Sequence, residues 1–209
     1  LKGFQAIRLI VEIKTDTMKS RSENVVQQQN GKTTNQHELS GLRDLFEDQL
    51  KGIYWSEKTL TGTLPKMIKN TTSHALANTL KQQLDIKEQH VRRCEEIFTS
   101  MNLYAEQKKN EAMQGLVNEA NAILVASVNG NVRDAGIISS VQKVKHYEIA
   151  AYGTLAAFAR ELGENEVVTL LEEVLAEEKV ADALLSEVAE KTVNKAAAEI
   201  PFPNDSGHT

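Results

Sequence analysis

The chain has 209 residues, of which 41% are hydrophobic, 25% charged and 5% aromatic, with a formal net charge of -5. That length suits one domain with a substantial core, and the acidic balance removes the basic footprint that nucleic-acid binding requires. Cys94 is the single cysteine, which excludes an internal disulfide framework and fits a reducing, cytoplasmic setting.

No apolar run approaches the roughly 20 residues needed to span a bilayer, so a membrane partner is not expected. Leu1–Ile13 starts like a secretion signal, but Arg8 and Glu12 interrupt its apolar block and no small-residue cleavage site follows. Met18 could be the true start, with Leu1–Thr17 an upstream extension. Residues 14–36 are rich in Gln, Asn, Ser, Thr and Lys without apolar periodicity, so 1–38 reads as a disordered or extended lead-in.

Order is expected from residue 39, with Ser40 as an N-cap. Leu42, Leu45, Phe46, Gln49, Leu50, Ile53, Glu57, Leu60 and Leu64 recur at spacings of three and four and trace one helical face. Pro65 should kink or end that helix, with Asn70 and the following threonines as the connection. A second helix is expected over Ser73–Met101, with Leu76, Leu80, Leu84, Glu88, Val91, Cys94 and Phe98 inward. Cys94 reads there as a small buried residue.

A polar loop, Tyr104–Asn110, leads to a short amphipathic helix over Ala112–Val128. Asn129, Gly130 and Asn131 form a turn signal. The third main helix is expected over Val132–Leu162, C-capped by Gly163, and the fourth over Asn165–Val193, leaving 194–209 as a flexible tail. Four long helices with one short crossover element make an all-α four-helix bundle with one long connection, its ordered domain spanning 39–193.

Each inward stripe carries one acid. Glu57, Glu88, Glu148 and Glu178 continue the spacing of apolar neighbours and should face the interior. Isolated buried carboxylates are costly and repel one another. A pair of divalent ions on facing helices would compensate four of them. Lys87 competes with Glu88 for its inward place.

Asp85 and Asp182 lie three and four residues from Glu88 and Glu178 and join the candidate ligand set. On this reading helix two offers Asp85-x-x-Glu88 and helix four Glu178 with Asp182, neither adding a histidine. The site is therefore oxygen-rich, which favours iron or manganese over zinc or copper. His146 points elsewhere than Glu148 and reads as a surface or interface residue. Tyr54, Tyr147 and Tyr152 read as packed rings with satisfied hydroxyls, and Trp55 as packed at the bundle surface.

Several strings carry a resemblance. They are Ile53-Tyr54-Trp55-Ser56-Glu57-Lys58, Leu64-Pro65-Lys66-Met67, Ala112-Met113-Gln114-Gly115-Leu116, Val132-Arg133-Asp134-Ala135, and the block from His146-Tyr147-Glu148 to Tyr152-Gly153. With Leu171-Glu172-Glu173, Glu177-Glu178-Lys179 and Asp182, they are similar to the YciE/YciF family of ferritin-like bacterial stress proteins, over about residues 42–190. The resemblance implies a ferritin-like fold, a homodimer and a binuclear metal site related to that of rubrerythrins, in a family tied to stress without a settled reaction. Glu57, Glu148, Glu178 and Asp182 match the family's acidic pattern. The chain departs from it at Asp85-Ile86, where relatives show two glutamates, at Glu88, where some show histidine, and at Lys145, where they show glutamate.

Two functional expectations follow. One is a di-metal oxidoreductase, a peroxidase or ferroxidase in which iron or manganese reduces peroxide or oxygen. Its ligands would be Glu57, Asp85, Glu88, Glu148, Glu178 and Asp182. The other is a non-enzymatic stress or scaffold protein with a decayed metal site, the acids being neutralised by Lys145, by an inward Lys87 or by protonation. Iron storage would demand a shell-forming interface, which nothing in the sequence indicates.

Overall fold

The computed structural model describes residues 39–199. The lead-in expected over 1–38 and residues 200–209 of the tail expected over 194–209 lie outside them. Helix α1 spans Leu42–Asn70, α2 His74–Ser100, α3 Glu111–Ala126, α4 Asn131–Glu161 and α5 Asn165–Val188. Among the described residues there are no strands.

The short turns 71–73 and 162–164 make α1/α2 and α4/α5 antiparallel pairs. Between them, residues 101–130 carry the chain from the end of the bundle where α1 begins to the end where it finishes, so α4 runs antiparallel to α1. This is the ferritin-like arrangement, four long helices with one crossover. Its core is a stack of Phe46, Leu50, Ile53, Ile97, Phe98, Tyr152, Leu155, Leu171 and Val174 at one end. At the other end Leu64, Met67, Leu76, Leu80, Ile137, Ile138, Leu185 and Val193 pack together.

Pro65 does not end α1, which continues to Asn70. Proline gives up one hydrogen bond, to the carbonyl four residues back. That gap faces solvent, because Pro65 is exposed. Leu64 and Met67 on either side are buried and hold the last turns in place. Ser73 caps α2 by accepting from the Leu76 amide, and Gly163, at φ +76°, closes α4 as expected. Beyond Val188 the chain continues through one wide turn, Ala189–Val193, into a last helical turn, Asn194–Ala198, so the helical path runs past the expected end at Val193.

The crossover is fixed at several points. Lys108 bonds both oxygens of Asp48 at 2.7 Å, and Asn110 caps α3 by accepting from the Met113 amide. Gly136 lets α3 lie close on α4, since a Cβ there would stand 2.5 Å from Ile123. Val117 and Met113 of α3 pack with Leu60 and Val144, closing one side of the bundle centre.

Asp134, in the first turn of α4, staples the other end. Its two oxygens accept from the Thr71 hydroxyl, the Thr72 hydroxyl and amide, and the Ser73 amide, at 2.6–2.9 Å. Burial pushes its carboxyl upward, but the bonds from Thr71 and Thr72 outweigh that and hold it below its ordinary 3.8. Asp134→Ala strands these donors and should cost about 2–4 kcal/mol in urea unfolding at neutral pH. The deficit should shrink as pH falls below 3.8, where the native carboxylate is lost. An unchanged urea midpoint would contradict the staple.

Candidate metal centre

Halfway along the bundle the apolar core is interrupted by charge. Glu57 of α1, Glu148 of α4 and Glu178 of α5 are buried to within 1% exposure and converge. The inward place on α2 belongs to Lys87, itself 1% exposed, and not to Glu88. The buried series of α2 is Leu76, Leu80, Gln83, Lys87, His90, Cys94, Ile97 and Phe98. At roughly 100° per residue, Glu88 stands a quarter turn past Lys87, and Asp85 stands nearly opposite. Both are exposed. Leu84 and Val91, taken with Glu88 as core positions, sit at the edge of the stripe, partly buried.

The Lys87 ammonium lies inside the triangle of acids. Its Nζ is 2.5 Å from Glu148 Oε1, 2.5 Å from Glu178 Oε1 and 3.1 Å from Glu57 Oε1. A second buried ammonium, Lys145, donates to Glu178 Oε2 at 2.7 Å and lies 3.6 Å from Glu148 Oε2, among the acids it was expected to neutralise.

His90 completes the cluster and escaped the sequence reading. Its Nδ1 is 3.1 Å from Glu178 Oε1 and 3.6 Å from Glu57 Oε1, while Nε2 is 2.7 Å from Glu177 Oε2. Arg93 in turn holds Glu177 with both terminal nitrogens. The signal was available as Lys87-x-x-His90, a spacing of three in phase with Leu80 and Gln83.

Asp182 stays outside this group. It is partly buried, and its Oδ2 lies 3.4 Å from Nε2 of the exposed His146. Tyr152 donates to Glu57 at 2.7 Å, Tyr54 to Glu95, and Tyr147 accepts from Asn110, so all three ring hydroxyls are satisfied. Cys94 is buried, with its sulfur 3.8 Å from the Tyr152 hydroxyl. Trp55 is partly buried against the crossover helix.

Three carboxylates thus face two ammoniums and an imidazole. Burial raises the Glu57 carboxyl, but Lys87 and His90 outweigh it and bring it to about 2. Burial also raises Glu178, and Lys87 with His90 draws it well below its ordinary value. Glu148 goes the other way, to about 8, because burial and the neighbouring Glu178 charge exceed the pull of Lys87. Burial lowers His90, yet its bonds to Glu178 and Glu57 win and lift it to about 9. Glu57 and Glu178 are thus held as carboxylates, while Glu148 is the acid pushed toward its protonated form.

Glu57, His90 and Glu178 each offer a ligand atom, all within 4.8 Å of one another, a grouping that could hold one metal ion. The residues present do not fit a pair of ions. Asp85 and Glu88 point away, Asp182 is engaged with His146, and the Lys87 Nζ stands where the carboxylates converge. A fixed ammonium and a divalent ion at that spot would repel strongly in so dry a setting.

The cluster should make stability depend on pH. His90 lies above its ordinary 6.5, so its contribution is complete below about 6.5 and lost as pH rises through about 9. Glu57 lies below 4.5, so its contribution is present above 4.5 and lost as pH falls through about 2. Glu148 favours the fold as a neutral acid and loses that advantage between 4.5 and about 8. His90→Gln should reduce stability by on the order of 3 kcal/mol near pH 6. The gap to wild type should close by pH 9.5, followed by urea unfolding at both values. A gap that does not change with pH would contradict a charged His90.

Comparison with known proteins gives a consistent answer. Residues 41–198 match the sequence profile of a domain of unknown function, DUF892. The chain is 38% identical to the Escherichia coli protein YciF over 160 residues, which is 76% of this chain and 96% of that one. The crystal structure of the E. coli stress protein YciF superposes with a TM-score of 0.72, covering 75% of this chain and 99% of that chain. YcfI from Rhodopseudomonas palustris also gives 0.72, at 34% identity over 74% and 98%. A Xanthomonas campestris protein, 19% identical with a TM-score of 0.62, shares the fold. The chain belongs to the YciF family and carries the DUF892 domain.

Proposed function

We propose that this protein is a non-enzymatic, cytoplasmic stress-response protein, a helical bundle in which internal ion pairs have taken the place of a metal centre. The observation that carries this reading is the Lys87 ammonium, within 3.1 Å of an oxygen of each of Glu57, Glu148 and Glu178. A positive charge built into the chain needs no metal supply and offers no redox chemistry. The second buried ammonium, Lys145, and the lifted Glu148 carboxyl extend the same logic, since they leave little uncompensated negative charge to attract an ion.

The family supports the reading from another side. E. coli YciF is called a stress protein, and R. palustris YcfI is described provisionally as a structural one. No helix among the described residues is long and apolar enough to cross a membrane. A homo-oligomer belongs to the same proposal, with Val125, Val128 and Tyr104 of the crossover among the exposed apolar side chains.

The competing reading is an iron or manganese pair reducing peroxide or oxygen. It is favoured by the Glu57, His90 and Glu178 grouping and by the fold. Metal analysis of the full chain, produced in medium rich in iron and manganese and purified under reducing conditions, separates the two. The metal-free reading expects well under one ion per chain and no peroxide consumption above buffer. Two ions per chain with peroxide turnover would overturn it.

A further inference from the structure

The cluster keeps the outer parts of a metal site although its centre is filled. The His90 ring is fixed from outside. Glu177 takes Nε2 at 2.7 Å and is gripped by Arg93 at 2.7 and 2.9 Å, which leaves Nδ1 directed at Glu57 and Glu178. A carboxylate behind an imidazole is the usual way a ligating ring is oriented and made more basic.

Two oxygens point the same way. Glu57 Oε2 and Glu148 Oε2 are buried and have no hydrogen-bond partner. Nearly all buried polar atoms find one; Glu148 Oε2 has the Lys145 ammonium 3.6 Å away, which leaves Glu57 Oε2 as the unused acceptor on a proposed ligand.

We propose that Lys87 is the resident occupant of a one-ion site formed by Glu57, His90 and Glu178, and that removing its ammonium opens this site to a divalent transition metal. The proposal rests on the metal-free reading above and explains it, because the ligands survive while the charge they would bind is supplied by the chain. Two carboxylates and one imidazole suit manganese, iron, cobalt or zinc. Lys145 and Glu148 stay as neighbours.

The test uses full-length protein treated with chelator, titrated with Co²⁺ and followed by visible absorption and thermal melting. Lys87→Ala should take up one Co²⁺ per chain, at least about 100-fold more tightly than wild type. It should melt below wild type without the ion and regain stability with it. Adding His90→Gln should weaken that uptake about 10–100-fold. Lys87→Gln, a neutral side chain of similar reach, guards against a variant that fails to fold. A folded Lys87→Ala or Lys87→Gln whose Co²⁺ affinity stays within tenfold of wild type overturns the proposal. So does failure of both variants to fold with Co²⁺ present. Wild-type protein that binds Co²⁺ as tightly as the variants would overturn both this proposal and the metal-free reading. A metal-free wild type with unresponsive variants sinks this proposal alone.

Discussion

Three carboxylates cannot share a dry interior without positive charge beside them. Each ionised acid taken from water into a low-dielectric core carries a penalty of several kcal/mol, and neighbouring acids add their mutual repulsion. In this bundle the compensation comes from Lys87, Lys145 and His90, all buried. Glu148, crowded by the Glu178 charge, is the acid whose carboxyl is pushed upward. The interior is therefore an arrangement of charges that is stable only as a set. Breaking such a set by removing one partner is far more damaging than never having built it.

That constraint reaches into the fold. An ammonium that must meet Glu57, Glu148 and Glu178 fixes the rotation of α2 against the other helices, since a turn by one residue would bring Glu88 inward and place a fourth acid among three. The surrounding layers hold the geometry. Tyr152 bonds Glu57, Glu177 and Arg93 hold His90, and the crossover helix covers one side through Met113 and Val117. At the end of the bundle Asp134 ties the α1–α2 turn to α4, so the helices that carry Glu57, Lys87 and Glu148 are locked together away from the cluster.

Much of this was legible in the sequence, for reasons that can be named. Glu57, Glu148 and Glu178 sit among apolar residues at unambiguous spacing, so their inward direction followed from helical periodicity. The α2 stripe was harder, because Leu84 and Val91 lie at the border of the buried face and suggest a phase one residue late. Reading the stripe through Gln83, Lys87 and His90 requires accepting three polar side chains in a core, which hydrophobic patterning alone disfavours. Tertiary electrostatics decided the rotation there. The length of α1 was missed for a similar reason, since the buried Leu64 and Met67 outweigh the one hydrogen bond lost at Pro65. The departure at Lys145 proved informative from the sequence onward, as its partners are the acids of the cluster.

The most direct measurement is a crystal structure of the full chain grown in excess Mn²⁺, with anomalous data collected for manganese. The account predicts Lys87 Nζ density between Glu57, Glu148 and Glu178 and no anomalous peak there. An anomalous peak between those carboxylates, with the Lys87 side chain turned out of the cluster, would contradict it.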